Sequence, residues 1–599
     1  MNQAYIQNFA IIAHIDHGKS TLADRIMEQT NTVSQRERKN QLLDSMKVEQ
    51  DHGITVKSRT VRNYYHGEDG HEYEYNFIDT PGHVDFSYEV SKSLAACDGA
   101  ILLVDATQGV QAQTVANFRL AKQNQLSIIP VINKIDSESA DIEKTVNQIQ
   151  QLDQRFSHST ILMISAKTGQ NIHDVLEAIY QRIPAPTGNL VAPLKALVFD
   201  SIYDPFKGII AYVRIYDGRL NANQHLKLMA DNTEFTSHQL GVFTPNMKES
   251  KQLSAGDVGY VTTGLKDSQL IQVGDTLTSC EHPTNKPLPG YQSAKSMVFA
   301  GFYPKDDNYK ELKAAIEKLS LNDSSFHYME EVSEALGPGF RCGFLGMLHL
   351  QIIRERLANE YHINVLTTAP NSIYHVYLKD TPDQSPLIIT NPVKFPKFSK
   401  INYVEEPYVK ATITTPADSM GAIMKLVDQH LGTLLDMSNQ GDLIVLIYKI
   451  PISEIAYNFF NKLKSDSHGY ATLDTSFLDY ELTDVVKISI HINYAPVDAL
   501  DTVVHRQDSE KIAQGIVKKM KYAVPRRLYP MPVQAFVEGK SIARIDVPPL
   551  RKNAAVNGEK HSISKKQQLL HRQNINKRQA AQSDIKLPQS VFNAILETD

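Results

Sequence analysis

The stretch Ala13-His-Ile-Asp-His-Gly18-Lys19-Ser20-Thr21 decides the fold of the first part of the chain. It follows a short apolar run that suits a buried strand, residues 8–13, and precedes a helical stretch, residues 22–27. Strand, glycine-lysine loop and helix in this order are typical of a phosphate-binding loop. In such a loop, backbone N–H groups turn inward around phosphate oxygens at the positive end of the helix. Alanine at position 13 replaces the first glycine of the general pattern.

The chemistry of the side chains in this loop predicts the role of each residue. We expect Lys19 to reach the β- and γ-phosphates and the Ser20 hydroxyl to coordinate Mg²⁺. The sequence therefore predicts a nucleotide site with Mg²⁺, in which the loop residues that contact the nucleotide are Asp16, His17, Gly18, Lys19, Ser20 and Thr21.

A second motif, Asp79-Thr-Pro-Gly82-His83, follows the apolar run 73–78, which reads as a strand. A carboxylate at a strand end can hold Mg²⁺ through water. We therefore expect Asp79 to be a metal residue and the Gly82 N–H to face the γ-phosphate. His83 follows at once, so its imidazole is placed to orient an attacking water.

A third motif selects the base. Asn133-Lys134-Ile135-Asp136 ends the apolar strand 128–132, and Ser165-Ala166-Lys167 follows the run 161–164. A carboxylate accepts two hydrogen bonds from the N1–H and 2-amino group of guanine, whereas adenine has neither donor. A buried Asp136 would be left unpaired by adenine, so the motif predicts GTP and GDP as ligands. Lys134 can lay its stem over the base, and residues 165–167 can supply backbone contacts to the guanine oxygen.

Between the first two motifs lies Gly53-Ile54-Thr55. A threonine in a mobile loop can complete Mg²⁺ coordination while the γ-phosphate is present, and hydrolysis releases it. We therefore predict Thr55 as a third metal residue beside Ser20 and Asp79.

The Asp-His-Gly-Lys, Asp-Thr-Pro-Gly-His and Asn-Lys-Ile-Asp set resembles the translational GTPases, such as elongation factors G and Tu. The resemblance implies ribosome-stimulated GTP hydrolysis, with His83 as the catalytic histidine and Thr55 as the switch threonine. Together with the phosphate lysine, this predicts His83, Thr55 and Lys19 as the catalytic residues. The family usually has arginine just before Gly-Ile-Thr, whereas this chain has His52.

The rest of the chain predicts a multidomain α/β and α+β protein. About 30 residues separate positions 136 and 165, which leaves no room for the extra subdomain of elongation factor G. Short alternating runs with Gly and Asp turns then predict a β-barrel, and two strand–helix repeats predict two ferredoxin-like α+β domains. The predicted boundaries are 1–185 for a P-loop GTPase domain (G domain), 187–287 for the barrel (domain II), 290–370 for the first α+β domain (domain III), 371–400 for a connector, 401–486 for an α+β domain resembling domain V of elongation factor G, and 487–599 for a C-terminal domain.

Elongation factor G places a tRNA-mimicking domain at the position of the connector, whereas residues 371–400 leave no room for one. In this absence and in its tail, the chain resembles the LepA family, also called elongation factor four. The tail motifs that carry this resemblance are residues 497–500, 504–506, 545–553 and 587–596. The resemblance implies a LepA-type C-terminal domain, contact with the ribosome and tRNA, and back-translocation or remodelling of tRNAs on stalled or mis-translocated ribosomes. It also implies a monomer in the cytoplasm with peripheral contact to the cytoplasmic face of the cell membrane. Two alternatives stay open, namely a GTP-gated binding factor for ribosome assembly or membrane-associated complexes, and a BipA-like factor.

A basic segment closes the chain. Residues 551–580 hold eight Lys or Arg side chains and one acidic residue, Glu559. Residues 564–579 suit a helix with one basic face, which is either an RNA-backbone contact or a solvated helix face. The segment departs from the usual LepA pattern, since Gly558-Glu-Lys-His561 replaces a Cys-Tyr-Gly-Gly loop. This indicates either weaker ribosome or tRNA affinity or a divergent second copy of the factor.

Composition agrees with a location in the reducing cytoplasm. The net charge of −5 argues against nucleic-acid binding by the whole surface and leaves that task to local basic patches. Three distant cysteines form no metal or redox spacing, and no apolar run reaches the ~20 residues of a membrane span.

Overall fold

The computed structural model describes residues 2–33, 48–49, 55–81, 87–204, 206–265, 271–289, 296, 298–305, 308–323, 325–380, 385–440, 443–455, 459–467, 469–527, 530–550 and 591. None of the helices within these residues combines the length and apolar character needed to cross a membrane.

The N-terminal domain is a mostly parallel sheet of order β2-β3-β1-β4-β5-β6 with helices on both faces. Its first strand is buried along its whole length, as parallel strands in α/β sheets are. Phe9 and Ile11 point into one hydrophobic core, and Ala10 and Ile12 point into the other. Its elements are β1 (Ile6–Ala13), α1 (Lys19–Gln29), β2 (Arg59–His66), β3 (Glu72–Asp79), α2 (Ser87–Ala95), β4 (Gly99–Asp105), α3 (Ala112–Gln123), β5 (Ser127–Asn133), α4 (Ile142–Leu152), β6 (Leu162–Met163) and α5 (Ile172–Arg182).

The strand register gathers the sequence motifs at one edge of this sheet. Ile11 pairs with Asp79 across β1 and β3, and Asp105 pairs with Asn133 across β4 and β5. Parallel strands end together, so the three motifs meet at the carboxyl edge, where open α/β sheets bind ligands.

The second domain is an eight-stranded antiparallel sheet of order β11-β10-β16-β7-β8-β15-β12-β13, with β9 and β14 forming a separate pair. Inward-facing aliphatic side chains from both ends of the sheet form one core, as expected for the predicted barrel. Its strands are β7 (Lys195–Asp204), β8 (Gly208–Asp217), β9 (Arg219–Asn221), β10 (His225–Leu228), β11 (Glu234–Thr236), β12 (Leu240–Thr244), β13 (Asn246–Ser250), β14 (Gln252–Ser254), β15 (Val258–Thr262) and β16 (Thr276–Ser279).

The third domain is an antiparallel sheet of order β18-β19-β17-β20 with two helices packed against it. Strand, helix, two strands, helix and strand in this order make a ferredoxin-like domain. Its elements are β17 (Val298–Pro304), α6 (Tyr309–Asn322), β18 (His327–Ser333), β19 (Gly337–Phe344), α7 (Met347–Tyr361) and β20 (Val365–Thr367).

The fourth domain repeats this plan around one long strand. β23 pairs with β25 and β26 in the ferredoxin-like order, and its first residues also pair with β21. The segment predicted as a connector therefore adds two strands to the same sheet. The elements are β21 (Tyr374–Leu378), β22 (Leu387–Ile389), β23 (Ile401–Pro416), α8 (Met420–Gln429), β24 (Thr433–Gln440), β25 (Leu443–Pro451), α9 (Ile452–Ile455), α10 (Phe459–Asp466) and β26 (Thr472–Thr483).

The C-terminal domain is a five-stranded antiparallel sheet covered by one long helix, whose buried face completes the domain core. Residues 551–590, which hold the predicted basic helix, lie outside the described residues, as do 592–599. The elements are β27 (Val485–Ile492), β28 (Ala495–Pro496), β29 (Thr502–His505), α11 (Ser509–Ala523), β30 (Met531–Val537) and β31 (Lys540–Val547).

Candidate functional site

The phosphate-loop residues lie between β1 and α1. Gly18 caps α1 with a φ of +96°, a left-handed conformation that favours glycine. Its backbone approaches Asn133 so closely that a Cβ on Gly18 would lie 2.3 Å from the Asn133 Nδ2. That amide nitrogen donates to the His17 carbonyl at 2.9 Å, while its Oδ1 accepts the Ala166 N–H at 2.9 Å. One asparagine thus ties the phosphate loop to the loop predicted to face the base.

We expect Gly18→Ala to weaken GTP and GDP binding by at least about tenfold. A non-glycine residue in the left-handed region costs roughly 1–2 kcal/mol, and each 1.4 kcal/mol is about tenfold in affinity. The clash with Asn133 adds to this. Dissociation of a fluorescent GDP analogue measures the effect. Gly515→Ala in α11, where an added Cβ meets nothing within 4 Å, is the control and should leave binding unchanged.

Lys19, Asp79 and Thr55 meet beside this loop. The Lys19 ammonium donates to the Asp79 Oδ1 at 2.7 Å and to the Thr55 Oγ1 at 2.9 Å, and all three residues are buried. Ser20 follows at the start of α1 and is half-buried, and Thr21 is exposed. Thr80 anchors the end of β3, because its hydroxyl donates to the Ile11 carbonyl at 2.8 Å. The structure therefore brings together the predicted phosphate lysine and two of the three predicted metal residues.

Two predicted residues cannot be placed. Gly82 and His83 lie outside the described residues, and so do His52, Gly53 and Ile54. Their predicted roles stay predictions.

The base-selecting motif surrounds the end of β5. Lys134 takes a left-handed φ of 64°, and its ammonium donates to the Asp16 carbonyl at 2.7 Å and contacts Asp105 at 2.6 Å. Its stem therefore spans from β5 to the phosphate loop. The Asp136 carboxylate is exposed, not buried as the argument from sequence supposed. The predicted role of Asp136 in discriminating against adenine therefore requires the bound base itself to cover the carboxylate.

The loop 165–167 is held in place from both sides. Ser165 is buried and its Oγ accepts the Thr168 N–H at 3.1 Å, while Lys167 is exposed. Arg25 on α1 donates from Nε to the Ala166 carbonyl at 2.9 Å. The Ile135 N–H donates to the Ile164 carbonyl at 3.3 Å, so this loop and the Asn-Lys-Ile-Asp motif form one surface.

Sequence reasoning missed Asp105, which is buried at the end of β4. Burial is the largest influence on its pKa and raises it, but the hydrogen bonds from Lys134 and Thr107 outweigh burial and hold the pKa below its usual range. The signal in the sequence that could have identified Asp105 is an acidic residue directly after the apolar run 99–104. Arg25 lies within a helix and had no such signal.

His17 is packed as a neutral side chain. Burial, together with the neighbouring His14, lowers its pKa to about 3. Its Nδ1 lies 3.2 Å from the Asp105 amide nitrogen and 3.4 Å from the Leu103 carbonyl oxygen. The two rings pack edge to face with centroids 5.0 Å apart. His17 therefore shapes the loop without adding charge to it.

A separate cluster on the barrel joins His225, Glu234 and Cys280, whose donor atoms lie within 4.8 Å of one another. Spacing in the sequence did not reveal it. The imidazole and carboxylate are 3.2 Å apart and each about half exposed, with side-chain exposures of 51% and 52%. This is the geometry of a surface ion pair beside a thiol.

Four family models match the chain in succession. Residues 4–185 match the elongation factor Tu GTP binding domain, and residues 208–278 match elongation factor Tu domain 2. Residues 403–490 match the elongation factor G C-terminus, and residues 492–597 match the GTP-binding protein LepA C-terminus. With the sheets described above, these matches confirm the predicted fold class, including the LepA-type C-terminal domain.

Several relatives are similar over their full length. A protein of Lactiplantibacillus plantarum named elongation factor 4 2 is 63% identical over 596 residues, with 100% of each chain covered. Proteins named elongation factor 4 from Geobacillus thermodenitrificans and Bacillus subtilis are 47% and 46% identical, covering 100% of this chain and 98% and 97% of theirs. A crystal structure of a Thermus thermophilus protein superposes with a TM-score of 0.57 at 18% identity, covering 80% of this chain and 97% of that one. At that identity the likeness concerns the fold.

Proposed function

Since the chain belongs to the LepA (elongation factor 4) family of translational GTPases, we propose that its GTP hydrolysis drives back-translocation or remodelling of tRNAs on stalled or mis-translocated ribosomes. The observation that carries the proposal is the meeting of Lys19, Asp79 and Thr55 beside the phosphate loop, on a chain that ends in a LepA-type domain. The protein is a GTP hydrolase, which converts GTP and water to GDP and phosphate.

The phosphate end of the site follows from these contacts. The backbone N–H groups of residues 16–21 hold the phosphates, and the Lys19 ammonium exchanges its contact with Asp79 for β- and γ-phosphate oxygens. Ser20, Thr55 and, through water, Asp79 present hard oxygen donors, which fit Mg²⁺. When bound, Mg²⁺ neutralises charge that develops on the phosphates.

The remaining residues recognise the base and the water. Asp136 accepts the two guanine donors, Lys134 covers the base, and residues 133, 135 and 165–167 complete the pocket. His83 orients the attacking water. Loss of the γ-phosphate then releases Thr55, which makes the segment around it the timing element of the cycle.

The proposed partners are the ribosome and tRNA, and the proposed location is the cytoplasm, where the chain acts as a monomer. The basic segment 551–580, outside the described residues, is the proposed RNA-backbone contact. Peripheral membrane contact, implied by the family resemblance, stays a prediction. We also propose that the chain is a divergent second form of the factor, which is supported by its altered loop 558–561 and by its higher identity to the relative named elongation factor 4 2.

Ribosome-stimulated turnover tests the proposal. We expect intact ribosomes to raise the GTP hydrolysis rate strongly, and we expect His83→Ala to reduce the stimulated rate about 10²–10⁴-fold, as loss of a group that handles the reacting proton or water does. Nucleotide binding should be unchanged. His66→Ala, at an exposed site on β2, is the matched control and should keep full stimulation.

Two outcomes would contradict the proposal. If intact ribosomes leave the GTP hydrolysis rate at its basal value, the ribosome is not the activating partner. Nucleotide-dependent sedimentation with membranes or immature subunits, instead of whole ribosomes, would favour the alternative of a GTP-gated binding factor.

A further inference from the structure

Three buried charged side chains and one partly buried lysine meet where the first three domains join. We call Lys57, Glu89, Lys92 and Asp200 the switch-flank cluster. Lys57 lies two residues after the predicted switch threonine, and Glu89 and Lys92 lie on α2, which begins just after the predicted His83. Asp200 comes from β7 of the barrel. The cluster therefore joins the flanks of both nucleotide-sensing segments to a second domain.

Asp200 stands between two ammonium groups. Its Oδ2 is 3.6 Å from the Lys57 Nζ, and its Oδ1 is 3.6 Å from the Lys92 Nζ. Lys92 is held more tightly by Glu89, at 2.5 Å. Among the described residues, no donor makes a hydrogen bond to the Asp200 Oδ2. The carboxylate is thus shared between both lysines and makes a close pair with neither.

Burial strengthens the electrostatic interaction between the Asp200 carboxylate and the lysines. Asp200 is 5% exposed and Lys92 is 2% exposed, so water screens their interaction little. Burial lowers the pKa of Lys92, but Glu89 and Asp200 raise it further, so the lysine stays charged. The cluster pairs two lysines with two carboxyl groups, so removing the Asp200 carboxylate leaves an excess cation in the cluster.

Lys57 also contacts the third domain. The Lys57 ammonium donates to the Ser201 carbonyl at 3.1 Å and to the carbonyl of Asn322, the last residue of α6, at 3.0 Å. Close by, Val48 packs on Ile352 of α7. The segment that carries the predicted switch threonine, just before β2, is therefore anchored to both neighbouring domains.

We propose that Asp200 is a positioning residue for GTP hydrolysis. It holds Lys57 and Lys92 at fixed separation, so the Thr55 and His83 segments reach the γ-phosphate together. Two residues of chain span at most about 7 Å, so a displaced Lys57 displaces Thr55. This inference rests on the proposed roles of Thr55 and His83.

A second ion pair at the same interface provides a matched control. Arg62 on β2 contacts the barrel residue Asp257 at 3.1 Å, and the arginine is also buried. If Asp200 only joins the domains, then Asp200→Asn and Asp257→Asn should have the same consequences. If Asp200 positions the switch segments, only Asp200→Asn should affect hydrolysis.

Turnover at saturating GTP and saturating ribosomes is the first measurement. We expect Asp200→Asn to lower kcat about ten- to a hundredfold, as small misplacements of catalytic groups do, with GDP affinity and the KM for ribosomes unchanged. Asp257→Asn should stay within about twofold of the wild-type kcat at similar thermal stability, since it lies away from the reacting groups. Asp200→Glu should recover part of the loss. Equal kcat for Asp200→Asn and wild type would overturn the inference.

Hydrogen exchange gives a second readout that needs no ribosome. The Val56 and Lys57 amides donate to the Glu49 Oε1 at 3.1 and 3.2 Å. We expect a non-hydrolysable GTP analogue to slow their exchange in the wild type and in Asp257→Asn but not in Asp200→Asn. Undiminished protection in Asp200→Asn would overturn the inference even if ribosomes failed to stimulate the wild type. Failed stimulation alone would count against the proposed function only.

Discussion

Asp136→Asn is expected to lower the affinity for GTP and GDP about 10²–10⁴-fold. Each hydrogen bond to a charged group contributes about 1.5–3 kcal/mol, and two are involved. The asparagine oxygen can still accept the guanine N1–H, but its NH₂ group faces the 2-amino group, donor against donor. The exposed position of Asp136 keeps the loss below that of a fully buried acceptor, because water can solvate the unpaired groups.

The same geometry predicts a change of specificity. Xanthine carries a carbonyl at C2, which accepts a hydrogen bond from the asparagine NH₂, and its N1–H donates to the amide oxygen. Asp136→Asn should therefore bind xanthosine triphosphate better than GTP. Titration of both nucleotides measures this, with Glu138→Gln in the same exposed loop as the control. If Asp136→Asn keeps its preference for GTP, the carboxylate is not the group that reads the base.

The residues at the carboxyl edge of the parallel sheet, where the nucleotide is predicted to bind, could be predicted because local sequence patterns place them there. Each motif follows an apolar strand, and parallel strands must end together, so residues 19, 79 and 133 had to meet. The exposure of Asp136 could not be predicted in this way, since it depends on how one loop sits over the sheet. The role of Asn133 as a link between two loops depends likewise on a three-dimensional approach to Gly18.

Contacts between domains could not be predicted from the sequence either, because they also depend on three-dimensional approach. His505 contacts Glu406 and Glu454, which are 99 and 51 residues away in the sequence, and no periodicity connects them. Asp200 and Lys57 are likewise on different domains. Such pairs follow from how folded domains dock, which the residue pattern of each domain does not encode.

His505→Ala is expected to destabilise the junction of the fourth and C-terminal domains by about 3–5 kcal/mol, the typical cost of leaving buried charges without their partner. The imidazole Nε2 is 2.6 Å from the Glu406 Oε1, and its Nδ1 is 2.8 Å from the Glu454 Oε1. Glu406 is fully buried and His505 is 7% exposed. Without the imidazolium, two carboxylates from the fourth domain face each other across a buried gap. His430 still contacts Glu454 at 3.0 Å but does not reach Glu406.

The pH dependence of this junction has a definite sign. Burial lowers the pKa of His505, but the hydrogen bonds with Glu406 and Glu454 outweigh burial and raise it from 6.5 to about 10. The stabilisation is therefore complete below pH 6.5 and is lost as pH rises towards 10. Burial raises the pKa of Glu454, but its bonds with His430 and His505 lower it from 4.5 to about 2, so that contribution is lost only as pH falls below 4.5. The junction should be most stable between pH 4.5 and 6.5.

Hydrogen exchange of the β29 amides, followed from about pH 5 to about pH 9, measures the free energy of local opening at this junction. A single global unfolding curve does not give this quantity for a chain of several domains. The difference between wild type and His505→Ala should shrink as pH rises, because the wild type loses its imidazolium. Adding Glu406→Gln and Glu454→Gln to His505→Ala should restore part of the stability, since the uncompensated charges are then gone. A pH-independent difference that this triple variant leaves unchanged would mean that packing of the imidazole, and not its charge, holds the two domains together.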